Sequence, residues 1–311
     1  MPDLRLHPVL ARFVRRDRVA MAIYLALGAQ AAAMLVLHDR LWAAVALAPA
    51  FLGSWGIVAS SALLRLAYVG TGFSDPVVVS EAARDRVLRG GSPYGVGYAE
   101  TLPPGSPFPY GPLALLDSVP IELIASIALL LLLARARRPL TLALYAGLPF
   151  SIVLASAGNN DYVPSLLLAS GLLLLPHKRG GVLIALSAVW KPYTVVFVPV
   201  AFAAGSIATF IASMTTLIIG WLPALWWGGF MDSLAMLNTL QGPSTLRYLA
   251  APLAAAAFRW GTPAACAAFA LLTLTSQTWA LGYLIPVGVA LGIAVEPPFR
   301  SRTPPVSTSG P

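Results

Sequence analysis

The sequence predicts an all-α polytopic membrane protein, a bundle of about eight to nine transmembrane helices with a helical external first loop. Composition is the first observation behind this fold class, since 58% of the 311 residues are apolar and only 10% are charged. Soluble domains carry about 25% charged residues. The second observation is that the apolar residues form blocks of roughly 20, the length that crosses a bilayer as a helix. The third is that basic residues cluster beside these blocks, as cytoplasmic flanks do under the positive-inside rule.

Eight apolar blocks are the predicted spans, and the last of them holds either one long span or two short ones broken near 275–277. The stretch 247–260 is too short to span and is expected at an interface or packed against the bundle. Residues 1–295 therefore form one transmembrane domain, followed by a proline- and serine-rich tail, 296–311, that we expect to be disordered. The predicted spans cover 19–37, 42–66, 120–134, 139–157, 161–176, 181–200, 203–225 and 262–295.

The basic clusters predict the orientation in a cell membrane. "ARARR" (134–138) and "HKRG" (177–180) are expected in the cytoplasm, which places the insert 71–111 on the external face together with the turn 157–161. The basic run "RFVRRDR" also favours the cytoplasm, yet two spans between it and the insert would return the insert to the cytoplasm. Either 19–37 and 42–66 do not both cross, or the N-terminus is external.

Several function classes are disfavoured by what the sequence lacks. Its single cysteine, Cys266, allows no intramolecular disulfide and no cysteine metal cluster. The chain contains no GK[ST] phosphate loop, GxSxG, HExxH or dinucleotide-binding fingerprint, so an enzyme of this sequence would receive its donor through the bilayer. The net charge of +8 is attributed to cytoplasmic flanks rather than to nucleic-acid binding. We expect no cofactor and no metal.

Asp75 is the most prominent carboxylate of the insert. In "SDP" it is a good N-cap, with Pro76 at the first helical position of a helix that runs to Gly90 and Gly91. An external carboxylate just past a span is also well placed to act as a general base. The two roles are compatible.

The rest of the insert has two interpretations. Glu81, Arg84 and Asp85 share a helix face, which is either a solvated surface or a site where an arginine recognises an anionic headgroup. The loop 92–112 is too long and too aromatic for a plain linker. Its aromatic side chains either pack the loop onto the membrane surface or line a sugar or lipid cleft: Tyr94, Tyr98, Phe108 and Tyr110.

Lys191 is the most informative single residue beyond the insert. It lies about ten residues from either end of an apolar block, where an unpaired charge costs roughly 2.5–3.5 kcal/mol. Pro192 follows it, so we expect the helix to kink or break there and the lysine to meet a phosphate in a polar cavity. Arg247, in the later polar stretch, can read a phosphate bidentately. Glu122 is expected in the first turn of a span, where it complements the helix dipole.

Five motifs occur in a recognisable order. They are the external Asp75 leading into "EAARDRVLRGGSPYG", then "FPYGPLALL", "GNNDYVPSLLLASGLLLL", "WKPYTVVFVP" and "NTLQGPSTLR". Together, over roughly 42–250, they resemble the polytopic GT-C glycosyltransferases, most nearly the glycosyltransferase family 87 type of polyprenyl-phosphate-mannose-dependent mannosyltransferases. They are similar, more distantly, to the mannosyltransferases that build GPI anchors. The chain is short for this family, and the block 19–37 is additional to the family pattern.

The resemblance implies a GT-C-like bundle whose active site lies at the external membrane face. Its partners would be a polyprenyl-phosphate sugar donor, a lipid or glycan acceptor and the lipid bilayer. Asp75 would be the catalytic base, and Lys191 and Arg247 would bind the donor phosphate. The alternatives are a lipid or sugar transporter or flippase, or a non-catalytic membrane subunit related to glycosyltransferases. The predicted substrate-binding residues are Glu81, Arg84, Tyr94, Tyr110, Asn159, Asn160, Asp161, Tyr193 and Gln241.

Overall fold

The computed structural model describes residues 8–37, 40–72, 74–241, 249–274 and 281–296. Those residues are mostly helical, so the all-α class is confirmed. The α-helices are α1 (Pro8–Leu37), α2 (Ser54–Tyr68), α3 (Asp75–Leu88), α4 (Val119–Arg135), α5 (Pro139–Gly147), α6 (Pro149–Ala157), α7 (Tyr162–Leu174), α8 (Lys178–Trp190), α9 (Val198–Ala203), α10 (Ile207–Trp227), α11 (Phe230–Gln241), α12 (Ala250–Trp260), α13 (Thr262–Leu274) and α14 (Leu284–Val295). The 3-10 helices are η1 (Leu41–Leu52), η2 (Pro112–Leu116), η3 (Pro192–Phe197) and η4 (Leu281–Tyr283).

Two of the described helices are long and apolar enough to cross a membrane. They are the Arg16–Leu37 part of α1, with 22 residues, and α10, with 21 residues. The pair α5 and α6 would add a third span if its two halves, bent by 65°, are taken together. These helices are compatible with a membrane protein. The count of eight to nine spans stays a prediction.

The block 42–66, predicted as one span, is instead two segments that run in opposite directions. Gly53, with φ of 78°, separates η1 from α2. Tyr24 on α1 is hydrogen-bonded to Ser60 on α2 at 2.6 Å, and the Tyr68 hydroxyl donates to the Ala31 carbonyl at 2.8 Å. The two contacts advance in the same direction along both helices, so α1 and α2 are parallel and η1 returns the chain between them.

This arrangement bears on the orientation question that the first two apolar blocks raise. The chain reverses direction twice between the start of α1 and the insert, because η1 returns between the parallel helices α1 and α2. Arg16 consequently lines the same pocket as Arg135 and Arg137. We call this end of the bundle, which carries Arg16, Arg135 and Arg137, the basic end. The opposite end, which carries the insert, is called the insert end.

Two prolines break predicted spans because the residue before a proline is driven out of the helical region. Leu148, with ψ of 120°, precedes Pro149 and produces the bend between α5 and α6. Lys191, with φ of −129° and ψ of 108°, precedes Pro192 and ends α8. The predicted break at Pro192 is therefore confirmed.

The insert forms a small layer with its own apolar core. Helix α3 is followed by a two-stranded antiparallel hairpin, β1 (Gly97–Tyr98) and β2 (Ser106–Pro107), and then by η2. Helix α10 reaches this layer, since the rings of Trp227 and Tyr94 lie 6.3 Å apart. Four aromatic side chains of the loop are buried against residues of α3, α8 and α10, so they pack inside the protein rather than against a membrane surface: Tyr94, Tyr98, Phe108 and Tyr110.

The remaining differences concern the ends of elements. Ser74, not Asp75, is the N-cap residue of α3, and no side-chain cap hydrogen bond is present there. Glu296, predicted in a disordered tail, is 4% exposed, and its carboxylate accepts hydrogen bonds from the N–H groups of Leu140 and Thr141 at 3.1 and 2.9 Å. Residues 297–311 and the break predicted near 275–277 lie outside the described residues. The stretch predicted to lie at an interface or to pack against the bundle contains α12, which contacts α9 and α13.

Candidate functional site

Lys191 is buried at the break between α8 and η3, with 1% of its surface exposed. Its ammonium group forms an ion pair with the carboxylate of Asp161 and donates a hydrogen bond of 3.1 Å to Asn160 Oδ1. The same group lies 4.5 Å from the ring centroid of Tyr283 and 5.8 Å from that of Tyr110. The predicted amide–acid turn and the predicted lysine therefore meet in one charged cluster.

The turn between α6 and α7 presents Asp161 to this lysine. Gly158 ends α6 in the left-handed region, with φ of 79°, and a Cβ there would lie 2.8 Å from the Cα atom of Val119. Asn159 Nδ2 donates to Asp161 Oδ2 at 2.6 Å, so the aspartate is held from both sides. The Nδ2 group of Asn160 is buried and has no hydrogen-bond partner among the described residues, so one amide donor in the cluster is available to a ligand.

Gly282 closes the cluster on the side of η4. A Cβ at this position would lie 2.0 Å from Asn159 Nδ2 and 2.2 Å from Asp161 Oδ2. Only glycine therefore allows η4 to approach the turn, and it brings the Tyr283 ring over Lys191. The ring of Tyr193 stands edge-on to that of Tyr283 at 5.8 Å, which brings another predicted residue to the same place. Sequence reasoning missed Gly282 and Tyr283, because a glycine–tyrosine pair in an apolar block carries no visible signal.

Asp117 and Glu122 form a buried carboxyl pair next to the cluster, and both side chains are fully buried. Glu122 Oε2 accepts from the N–H groups of Tyr162 and Val163, at 2.8 and 3.1 Å, so it caps α7 rather than its own helix α4. Burial raises the pKa of Asp117 to about 7, an effect partly offset by neighbouring Glu122 and Lys191. A carboxyl group of this pKa can exchange a proton near neutral pH.

Asp75 lies half-buried in the insert layer at the start of α3. Its Oδ1 atom accepts a hydrogen bond of 2.7 Å from the backbone N–H of Leu102, in the hairpin loop. Burial raises the pKa of Asp75, and the Leu102 hydrogen bond opposes the shift. The pKa of Tyr110 is raised, first by burial and then by nearby charges that include those of Asp161 and Asp75.

The loop of the insert closes onto the helix break through Gly111. Its N–H donates to the carbonyl of Trp190 at 3.1 Å, the residue just before Lys191. A Cβ at Gly111 would lie 1.8 Å from the carbonyl oxygen of Val189, so the approach requires glycine. Tyr94 supports the loop from the other side, because its hydroxyl donates to the Tyr110 carbonyl at 3.1 Å. Tyr94 therefore has a packing role and is 2% exposed.

Glu81 and Arg84 are not among the contacts of Lys191. Arg84 donates to the backbone carbonyls of Leu115 and Asp117, at 3.4 and 3.2 Å, and so joins α3 to η2 and to the residue that follows it. Glu81 is 3.9 Å from Arg84 and lines a separate open pocket of about 660 Å³. The charged residues that line this outer pocket are Glu81, Asp85, Arg86, Arg89 and Glu100.

The two late candidates are described only in part. Gln241 is the last residue of α11. Arg247, the predicted second phosphate ligand, lies outside the described residues. Among the residues that the structure describes, no group of three or more histidine, cysteine or acidic side chains is arranged to hold a metal ion.

Arg65 is a second buried cation that sequence reasoning missed. It is fully buried on α2, and its guanidinium group donates to Ser126 Oγ at 2.6 Å and to Ser151 Oγ at 3.0 Å. The group also lies 5.1 Å from the ring centroid of Tyr145. The signal was present in the sequence, since an arginine in an apolar block needs polar partners and "SS" lies one helical turn before it.

The insert end of the bundle therefore carries the buried cation of Lys191 and the carboxyl groups of Asp75 and Asp117, whose pKa values are raised. The rings of Tyr110 and Tyr283 lie beside the cation. Such a set can bind an oxyanion and remove a proton from a hydroxyl group. Comparisons of the chain with models of known protein families, with curated proteins and with solved structures return no match.

Proposed function

We propose that the protein is a membrane glycosyltransferase that moves a sugar, mannose in the simplest case, from a polyprenyl-phosphate donor to a hydroxyl group of a lipid or glycan. The reaction takes place at the external membrane face, on the insert end of the bundle. The observation that carries the proposal is the buried Lys191 at a helix break, paired with Asp161 and lying 5.8 Å from the ring centroid of Tyr110, a residue of the insert.

Lys191 has the role of stabilising the leaving phosphate. An ammonium group has three donors, of which one is engaged by Asp161 and one by Asn160. These two partners fix the direction of the third N–H group before the polyprenyl-phosphate sugar binds. Electrostatic catalysis requires this kind of preorganisation. The rings of Tyr110 and Tyr283 cover the ammonium group, so one of them moves when the phosphate binds.

Asp75 has the role of general base. It removes the proton of the acceptor hydroxyl as that oxygen attacks the anomeric carbon, and the bond from that carbon to the phosphate oxygen breaks. Polyprenyl phosphate leaves with the electron pair of the broken bond, and the single displacement inverts the anomeric centre. The raised pKa of Asp75 makes it a stronger base than an ordinary aspartate, and general-base assistance contributes about 10²–10⁴ in rate.

The proposal is tested by incubating membranes that contain the protein with labelled polyprenyl-phosphate mannose and resolving the lipid products by mass spectrometry. We expect a new mannosylated lipid that membranes without the protein do not form. A nucleotide sugar serves as the control donor and should give no product, since the chain lacks a nucleotide-binding fingerprint. Absence of any product from the lipid-linked donor would contradict the proposal.

A transporter or flippase is the second candidate, and the two broken helices favour it. Helix breaks occur at Leu148–Pro149 and at Lys191–Pro192, and discontinuous helices often form substrate sites in transporters. Movement of an intact sugar lipid across proteoliposomes, without chemical conversion, would support this candidate over glycosyl transfer.

A further inference from the structure

The basic end of the bundle contains a pocket that the proposed reaction does not use. It has a volume of about 430 Å³ and lies between α1, the start of α2 and the α4–α5 junction. Three arginines line it, at positions 16, 135 and 137, together with the carboxylate of Asp17. The candidate active site lies at the opposite end of the bundle, so the two sites are independent.

Two of these arginines have no partner that neutralises them among the residues that the structure describes. The side chains of Arg135 and Arg137 are exposed, and neither makes a hydrogen bond or an ion pair with any residue that the structure describes. Arg16 differs, since its Nη2 atom lies 3.0 Å from Glu296 Oε1. Arg137, at the α4–α5 junction, adopts a left-handed backbone conformation with φ of 54° and lines the pocket.

The start of α2 adds further donors to the pocket. Gly53, the N-cap residue of α2, supplies no side-chain cap, so the first N–H groups of that helix have no side-chain acceptor. Gly53 and Ser54 line the pocket together with the arginines. A helix N-terminus beside guanidinium groups is a favourable place for a phosphate.

One side of the pocket is formed by exposed apolar side chains. Leu52 is 81% exposed and Trp55 is 58% exposed, and both line the same pocket as the arginines. Exposed tryptophan beside basic residues is typical of membrane–water interfaces, where the ring lies at headgroup level. The pocket therefore has both cationic hydrogen-bond donors and an apolar edge.

From these observations we infer that the basic-end pocket binds a phosphate-bearing anion, with Arg135 and Arg137 as its principal ligands and Trp55 beside the ligand's apolar part. A phospholipid headgroup and a free phosphate share this chemistry. Asp17 is the acidic group of the lining and weakens the binding of an anion.

The test compares the purified full-length wild type with the double variant Arg135→Gln/Arg137→Asn. Asparagine tolerates the left-handed backbone at 137, and both side chains are exposed, so the variant should fold. Binding of phosphatidylglycerol is measured by native mass spectrometry, and stabilisation by inorganic phosphate is measured by thermal unfolding in lipid-free detergent. We expect phosphatidylglycerol to bind about 10- to 30-fold more weakly to the double variant.

Two further variants make the result specific to the pocket. Arg179→Gln removes an exposed arginine outside the pocket lining, near the start of α8, and should bind phosphatidylglycerol like the wild type. Asp17→Asn removes the repulsive charge and should bind more tightly. Loss confined to the lipid arm identifies a headgroup site, and loss in both arms identifies a general phosphate site. The inference would be overturned if the double variant bound each ligand as tightly as the wild type does. Weaker binding by Asp17→Asn than by the wild type would also overturn it.

Discussion

Asp75 accepts a hydrogen bond of 2.7 Å from the backbone N–H of Leu102, so the first residue of α3 is fastened to the hairpin loop 27 residues later. The carboxylate is thereby used for tertiary positioning rather than for capping α3, where no side-chain cap hydrogen bond is present. A base that is held by a loop keeps a fixed direction, while half-burial raises its pKa. This relationship connects the architecture of the insert with the proposed chemistry.

The pH dependence of transfer should report on this carboxylate. Asp75 acts as a base only when it is ionised, so the rate of transfer should rise with pH and reach a plateau above the pKa of Asp75. Because burial raises that pKa, the midpoint should lie above the ordinary aspartate value of 3.8. The measurement is the initial rate of transfer against pH at saturating donor. A rate that falls with rising pH over this range would exclude a carboxylate base.

The ion pair between Lys191 and Asp161 should be strongly coupled. Lys191→Met leaves a buried carboxylate unpaired, and Asp161→Asn leaves a buried cation, so each should cost about 3–5 kcal/mol of unfolding free energy. The double variant removes both charges and should lose much less than the sum of the two single losses. Unfolding of the four proteins in detergent measures this cycle. Strictly additive losses would show that the two groups do not interact.

The same double variant separates stability from function. Its fold should be largely recovered, while transfer should remain undetectable because the phosphate has lost its cation. Recovery of transfer together with stability would assign a purely structural role to Lys191.

Gly282 should tolerate no side chain. Gly282→Ala would place a Cβ 2.0 Å from Asn159 Nδ2, so the turn must shift, at a cost of about 1–3 kcal/mol and with loss of transfer. Gly288→Ala is the matched control, since a Cβ there meets no atom within 4 Å and the residue lies in helix α14. The control should be neutral or up to about 1 kcal/mol more stable. Thermal unfolding and transfer assays on both variants check this prediction. A Gly282→Ala variant that is as stable and as active as Gly288→Ala would contradict it.

Asp117 should make stability depend on pH. Its pKa in the folded protein, about 7, lies above the ordinary value of 3.8, so between these values the folded state binds a proton that the unfolded state has released. The contribution of this group to stability therefore falls as pH rises from about 4 to about 7 and is constant above that range. Asp117→Asn should remove this dependence and raise stability by about 2 kcal/mol or more near neutral pH and above.

The control for this prediction is Asp85→Asn, which changes an exposed carboxylate on α3. It should leave the pH profile of unfolding unchanged. A profile of Asp117→Asn that matches the wild type would show that the Asp117 carboxyl group is not the source of the dependence.

Much of the arrangement around Lys191 is visible in the sequence. A lysine in an apolar block beside Pro192 predicts both the helix break and a polar partner, and both are found. The turn at 158–161 was expected on the same side as the insert, and Asp161 indeed reaches the lysine. Local rules suffice here, since proline geometry and the cost of a buried charge act over a few residues.

Other features depend on packing between distant segments and escape such rules. The segment 41–68 is apolar almost throughout, so its division at Gly53 is not distinguishable from a single span by hydropathy. The sequence predicts that Glu122 complements the dipole of its own helix, yet its carboxylate caps α7, forty residues away. The close approach of Gly282 to the turn is likewise a property of the assembled bundle, because it is set by atoms more than a hundred residues distant in the chain.

Asp75 is proposed as the base of a glycosyl transfer reaction, and its replacement tests this role directly. Membranes that contain the wild type or Asp75→Asn are incubated with labelled polyprenyl-phosphate mannose, and the lipid products are compared by mass spectrometry. Asparagine retains an oxygen that can accept the Leu102 N–H, so the variant should fold and insert as the wild type does. We predict that its transfer rate falls by about 10²–10⁴. Transfer at the wild-type rate by the folded variant would contradict a role of Asp75 as the base.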